Sequence, residues 1–191
     1  MAAWYCGRHL TSKENTDSVN HYLQKSIELA KKSNSPKTIL YLNRKYITHA
    51  STIHQDIKVD SFVNENLNIL ANSMELTTDE KGLEKAGMYK AAGYYAISMN
   101  QDSEALEYLD LCVQELSVLD TSLAEVKDKQ AHLYFSIAYQ FYKSGYDGRS
   151  KKLLLEAADM LNGISSYGNA SDCYTLLGAI YKREEKYDSA L

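Results

Sequence analysis

The chain has 191 residues, 45% of them hydrophobic and 24% charged, with one proline and nine glycines. At about 150 residues per domain this allows one elongated or two small domains, and so little Pro and Gly excludes collagen-like, low-complexity and turn-rich sandwich chains. The formal net charge of -4 argues against general nucleic-acid binding, which needs a basic patch against phosphates, and no run approaches the roughly 18 apolar residues of a membrane span.

The elements predicted in chain order are all helical. A short helix covers about 2–10. The next runs from near Thr16 to Lys32 with Val19, Leu23, Ile27 and Leu29 spaced three and four apart, the period of an amphipathic helix. Ser33-Asn34-Ser35-Pro36 ends it and starts a third helix to about Ser51, because Ser35 can accept from unpaired backbone donors and Pro36 at the first helical position has no N–H to waste. A fourth, near 58–71, presents Val59, Phe62, Val63, Leu67 and Leu70 as its stripe.

Thr77 and Glu80 have capping-box spacing at the start of a fifth helix that extends to about Met99. A sixth runs from Ser103 to about Leu119, and a seventh from Leu123 to Lys143 with Gly145 as its left-handed stop. The eighth covers about 148–161, the ninth about 169–182, and a tenth begins near Lys186. Loops this short require consecutive helices to pack antiparallel, so the unit is a helix hairpin. Nothing alternates with period two for long enough to be a strand.

The hairpins repeat an internal order. Tyr134, Ile137, Ala138 and Phe141 precede Ser150, Leu154 and Ala157; Tyr89, Ala92, Gly93 and Ala96 precede Ala105, Leu109 and Cys112; Tyr174, Leu177, Gly178 and Tyr181 precede Ala190. In each, a small residue is followed twelve positions later by another, at Gly93 and Ala105, Ala138 and Ser150, Gly178 and Ala190. Paired small residues let two helix backbones approach closely. The N-terminus fits as a further copy, with Cys6, Gly7 and Leu10 before Val19, Leu23 and Ser26. The hairpin over 36–73 offers no small residue at Lys45, Tyr46, Ile47 or Thr48, and its register is open by about two residues.

This order resembles the tetratricopeptide repeat, in the longer form with about 40 residues per unit found in bacterial signalling and regulatory proteins. The resemblance implies an all-α, right-handed superhelical solenoid of antiparallel helix hairpins. It would form one domain over 1–191 with hairpins at 1–34, 35–74, 78–119, 121–162 and an incomplete 168–191. It further implies a noncatalytic protein- or peptide-binding module, the sensing or scaffolding region of a larger signalling or regulatory protein. The alternatives are a receptor for a small signalling peptide that controls an attached DNA-binding or kinase domain, a purely structural role in assembly, and an enzyme with its pocket enclosed by the repeats. The ends read as half-hairpins, which suggests a piece of a longer protein or faces through which copies self-associate.

Ligands of this family meet the first helix of each hairpin. Carried over by position, that face displays Arg8; Lys90, Tyr94 and Ile97; Phe135, Tyr139, Tyr142 and Lys143; and Ala179, Lys182 and Arg183. Tyrosine edged with cations suits a protein or peptide bearing acidic groups. The alternative is that Tyr94, Tyr139 and Tyr142 pack between hairpins with their hydroxyls at the rim.

Other chemistry finds little support. There is no GxGxxG, Walker loop, HExxH or GxSxG pattern. His9, His21, His49, His54 and His132 are scattered, and His49 and His54 fall on different helix faces, which suits hydrogen bonding better than a metal. Asp102, Glu104, Glu107, Asp110 and Glu115 form an acidic helix exterior, either solvated or an electrostatic docking surface. Cys6, Cys112 and Cys173 are too far apart for a CxxC or zinc pattern. No catalytic residue, metal or cofactor is expected. The cysteine usage fits the cytoplasm, and a periplasmic sensor region would read the same, so the compartment stays open.

Overall fold

A computed structural model describes residues 13–120 and 122–184, with side chains from 17 onward. The expected helix at 2–10, Arg8, the copy built on Cys6, and the helix near Lys186 with Ala190 lie outside the described residues. Eight helices fill the described chain: α1 (Lys13–Lys32), α2 (Pro36–Thr52), α3 (Val59–Asn72), α4 (Thr78–Ser98), α5 (Asp102–Ser117), α6 (Ala124–Lys143), α7 (Asp147–Gly163) and α8 (Tyr167–Arg183). The fold is all-α and built from consecutive helix hairpins. It divides into two compact units, 1–112 and 113–191.

The hairpins owe their sharpness to one turn used five times. Asn34, His54, Asn100, Gly145 and Ser165 all have positive φ, between 49° and 82°. The residue after each one donates its backbone N–H five residues back, to Ala30, Ala50, Ala96, Phe141 and Leu161 respectively. These are Schellman closures, which satisfy carbonyls left over at a helix end. Four of the five positions use a residue other than glycine for a conformation in which a Cβ is unfavourable.

In the first unit the core forms where α1, α2, α3 and α4 meet. Ile27, Ala30, Ile39, Leu42 and Tyr46 make one buried cluster, and Ile47, Ala50, Val59, Val63, Met88, Ala91, Ala92 and Tyr95 make another. Thr77 caps α4 by accepting from the Glu80 backbone N–H at 3.2 Å while the Glu80 carboxylate accepts from the Thr77 N–H at 2.8 Å. This is the capping box expected from the spacing.

The small-residue pairs mark close approaches. A Cβ on Gly93 would sit 2.9 Å from the Leu109 side chain, and the Cys112 thiol donates to the Ala86 carbonyl at 3.0 Å. In the second unit the buried Ser150 hydroxyl donates to the Ala138 carbonyl at 2.8 Å. Superposing the turns also fixes the register of α2. Counting back from Ala50, Ala96 and Phe141 aligns Asn43 with Tyr89 and Tyr134, and Ile47 with Gly93 and Ala138.

That explains why the second hairpin looked irregular. Asn43 stands where the others carry tyrosine, and it is fully buried, donating to Asn66 at 2.7 Å and Glu65 at 3.1 Å on α3. Lys31 pairs with the same Glu65 at 2.6 Å. A hydrogen-bonded network replaces a ring, and it satisfies the donor side of the buried Asn43 amide.

Candidate functional site

In the first unit, α2 and α4 run parallel along a polar seam. Lys37 meets Glu80 at 3.3 Å, Arg44 meets Glu84 at 2.8 Å, Ser51 donates to the Tyr94 carbonyl at 3.3 Å, and His54 Nδ1 lies 2.8 Å from the Ser98 carbonyl. Both residue numbers rise together, so the helices point the same way. Gly87 makes room for the seam: Arg44 Nη1 lies 2.6 Å from the place its Cβ would take.

Lys90 follows Gly87 by one helical turn, on the same side of α4. Its Nζ sits 5.8 Å from the centre of the Tyr94 ring, and no carboxylate among the described residues pairs with it. Burial is the main cause that holds its ammonium below the ordinary 10.5; the Arg44 charge adds to the fall, and Cys112 opposes it. Ile97 lies half-buried one turn beyond Tyr94. Lys90, Tyr94 and Ile97, expected together from the sequence, therefore share one side of α4, with Arg44 and Glu84 joining them from unrecognised positions.

In the second unit the expected residues divide. Tyr139 is 44% exposed and carries Lys143 5.9 Å from its ring centre, while Phe135 is half-buried and Lys182 exposed. Arg183 has internal partners. Its guanidinium stacks 4.1 Å from the Tyr142 ring centre, donates from Nε to Asp147 at 2.9 Å and from Nη2 to the Tyr142 carbonyl at 3.0 Å, and also bonds Asp147 through Nη2. It fastens the end of α8 to the α6–α7 turn. Beside it, Lys151 pairs with Glu184 at 2.8 Å and lies 5.3 Å from the Tyr181 ring centre.

Arg44, Glu84, Asp147, Lys151 and Glu184 were missed because their partners lie more than thirty residues away along the chain. No short spacing announces them. A signal existed only for Arg44, which shares α2 with Lys37 and Lys45 and no acidic residue.

The third copy of the repeated order behaves differently from the other two. Ala131, Tyr134, Ala138 and Phe141 are all at most 2% exposed beneath α7. The matching Ser171 is exposed and Tyr174 is 50% exposed, held only at its hydroxyl by Asn162 at 3.1 Å. Among the described residues, no group of three His, Cys, Asp or Glu side chains could hold a metal ion, and no helix is long and apolar enough to cross a membrane.

No family model and no curated protein matches the chain. Among solved structures it is similar to BtubC (BKLC) from P. vanneervenii, with a TM-score of 0.72 and 15% identity over 92% of this chain and 69% of that one. At this identity the likeness concerns the fold.

It overturns the expected membership of the tetratricopeptide repeat family. With that membership falls the expected role as a peptide-binding sensing, scaffolding or receptor region of a bacterial signalling or regulatory protein. The physical reason lies in what the repeated order measures. Small residues twelve apart report how closely two helices of a hairpin approach, a need common to many stacked hairpins, and say nothing of descent or ligand.

Proposed function

We propose that this chain is a noncatalytic structural protein that assembles with copies of itself by matching a basic helix to an acidic one. The observation that carries this reading is the segregation of charge in the first unit. Helix α2 contains Lys37, Arg44 and Lys45 and no acidic residue, whereas α5 contains Asp102, Glu104, Glu107 and Asp110 before residue 112 and no basic residue along its length. Lys45 and all four of these acids are exposed, as is Lys37, whose charge is shared with Glu80 on α4.

Opposite potentials on two different surfaces of one chain steer copies together and disfavour like-with-like contacts. Such a contact is heterologous: it closes into a ring if the rotation between copies allows, and otherwise extends as a filament. The exposed aromatic residues of the first unit, Tyr22 at 61% and Tyr41 at 38%, supply the kind of large, rigid side chain that anchors a protein interface. The fold shared with BtubC (BKLC) is compatible with this reading and adds no partner of its own.

The test is sedimentation velocity of the chain at low and high salt, beside two neutralised forms, Lys37→Gln/Lys45→Gln and Glu104→Gln/Glu107→Gln. The expected result is association that weakens with salt and is absent in either variant alone. A mixture of the two variants should stop at a dimer, because only one usable surface remains on each. A chain that stays monomeric at every concentration in low salt would overturn the proposal.

A further inference from the structure

The seam between α2 and α4 has one cation more than it has acids. Lys37 is matched by Glu80 and Arg44 by Glu84, but Lys90, half-buried on α4 where the Arg44 charge reaches it, has no carboxylate partner among the described residues. A desolvated ammonium without an acceptor is costly, and such perturbed groups cluster at functional sites.

We infer that Arg44, Lys90 and Tyr94 form an oxyanion subsite, one that takes a carboxylate or phosphate group. Three features of the geometry support it. The guanidinium can approach α4 closely because Gly87 has no Cβ, with Nη1 at 2.6 Å from the position that atom would take. This places a fixed, forked donor set one helical turn from the Lys90 stem. The guanidinium is engaged with Glu84 through Nη1, and it carries five N–H donors in all.

The Tyr94 ring, 5.8 Å from Lys90 Nζ, lends the ammonium partial compensation while the subsite is empty. On either side the helices are pinned, by Arg44 with Glu84 and by Ser51 with the Tyr94 carbonyl, so the backbone that carries both cations is fixed before any anion enters. Prepaid ordering of this kind is what makes a small site bind. The depressed Lys90 ammonium, caused first by burial and then by Arg44, is the state that an incoming negative charge would relieve.

The same chemistry has two sources: a free oxyanion such as phosphate, or a carboxylate of a second copy. The inference is independent of the assembly proposed above, and one experiment separates them. The chain is treated briefly with acetic anhydride and acetylation is read lysine by lysine by mass spectrometry. Samples are in sodium phosphate or in sodium chloride of equal ionic strength, at low and high protein concentration.

Phosphate at low protein concentration should slow acetylation of Lys90 several-fold while Lys45 and Lys129 are unchanged, and Arg44→Gln/Glu84→Gln should remove the protection. If instead Lys90 is protected by raising the protein concentration in chloride, the subsite takes a carboxylate of a second copy. Concentration-dependent protection in chloride that survives in Glu104→Gln/Glu107→Gln keeps the subsite and places the incoming carboxylate elsewhere than at these two residues of α5. A Lys90 that reacts equally in both salts at every concentration overturns the subsite.

Discussion

Burial pulls the Lys90 ammonium below its ordinary 10.5, and the consequence for stability has a definite sign. Because the unfolded chain holds this proton more tightly, stability rises with pH through the folded value and up to 10.5. Tyr108 works the other way: burial first, then its hydrogen bond to Asp60, raise its phenol above the ordinary 10.0, so its contribution is present below 10.0 and lost as pH climbs further. Comparing the chain with Lys90→Met isolates the lysine. The variant is expected to be the more stable at neutral pH, with the gap narrowing as pH rises, as read from urea unfolding.

Cys173 offers a second residue-scale check. Burial, with Asp172 adding, pushes its thiol up to about 11. At pH 8 its alkylation by iodoacetamide is expected to be many-fold slower in the folded chain than in urea, since the thiolate is the nucleophile. Neither residue's state was legible in the sequence. Lys90 reads there as one more cation on a helix, and only the neighbouring helix shows that its acid is missing.

At the scale of the element, the turns and close approaches are what hold each hairpin. Replacing Gly93 by Ala would put a methyl group 2.9 Å from Leu109, and overpacking of this kind costs about 1–3 kcal/mol. The left-handed positions predict opposite signs. Gly145→Ala forces a Cβ into φ 82° and should cost about 1–2 kcal/mol, whereas Ser165→Gly relieves the same strain and should stabilise by less than that, because glycine loses more backbone freedom on folding. Thermal unfolding of the three variants checks all of them together.

Helices were the most readable feature. Apolar spacing placed all eight described helices within a few residues, and Thr77 with Glu80 announced its capping box outright, because these signals are local. The turns were only partly visible: Gly145 advertises a left-handed residue, but His54 and Ser165 adopt that conformation without a glycine to announce it. The register of α2 was hidden for a related reason. Asn43 and Ile47 occupy places where a tyrosine and a small residue were sought, and the compensating partners, Asn66 and Glu65, are supplied by another helix.

For the whole molecule, the net charge of -4 conceals a separation that matters more than the total. Surface charges are screened beyond about 10 Å at 0.1 M salt, so association between α2 and α5 of different copies is expected to fade across the physiological range of ionic strength. Light scattering on a salt series checks this directly. Composition could not forecast it, because composition sums over faces that point in different directions.

His54 and Asn100 close α2 and α4 with the same backbone step, and each is followed within a few residues by a new helix. The stretch from Gln55 to Asn100 therefore begins and ends at interchangeable joints. A gene that copied this stretch in tandem would join the copies through a conformation the protein already uses. Its turns thus offer a way for such a chain to be lengthened, one helix pair at a time, without a new kind of junction.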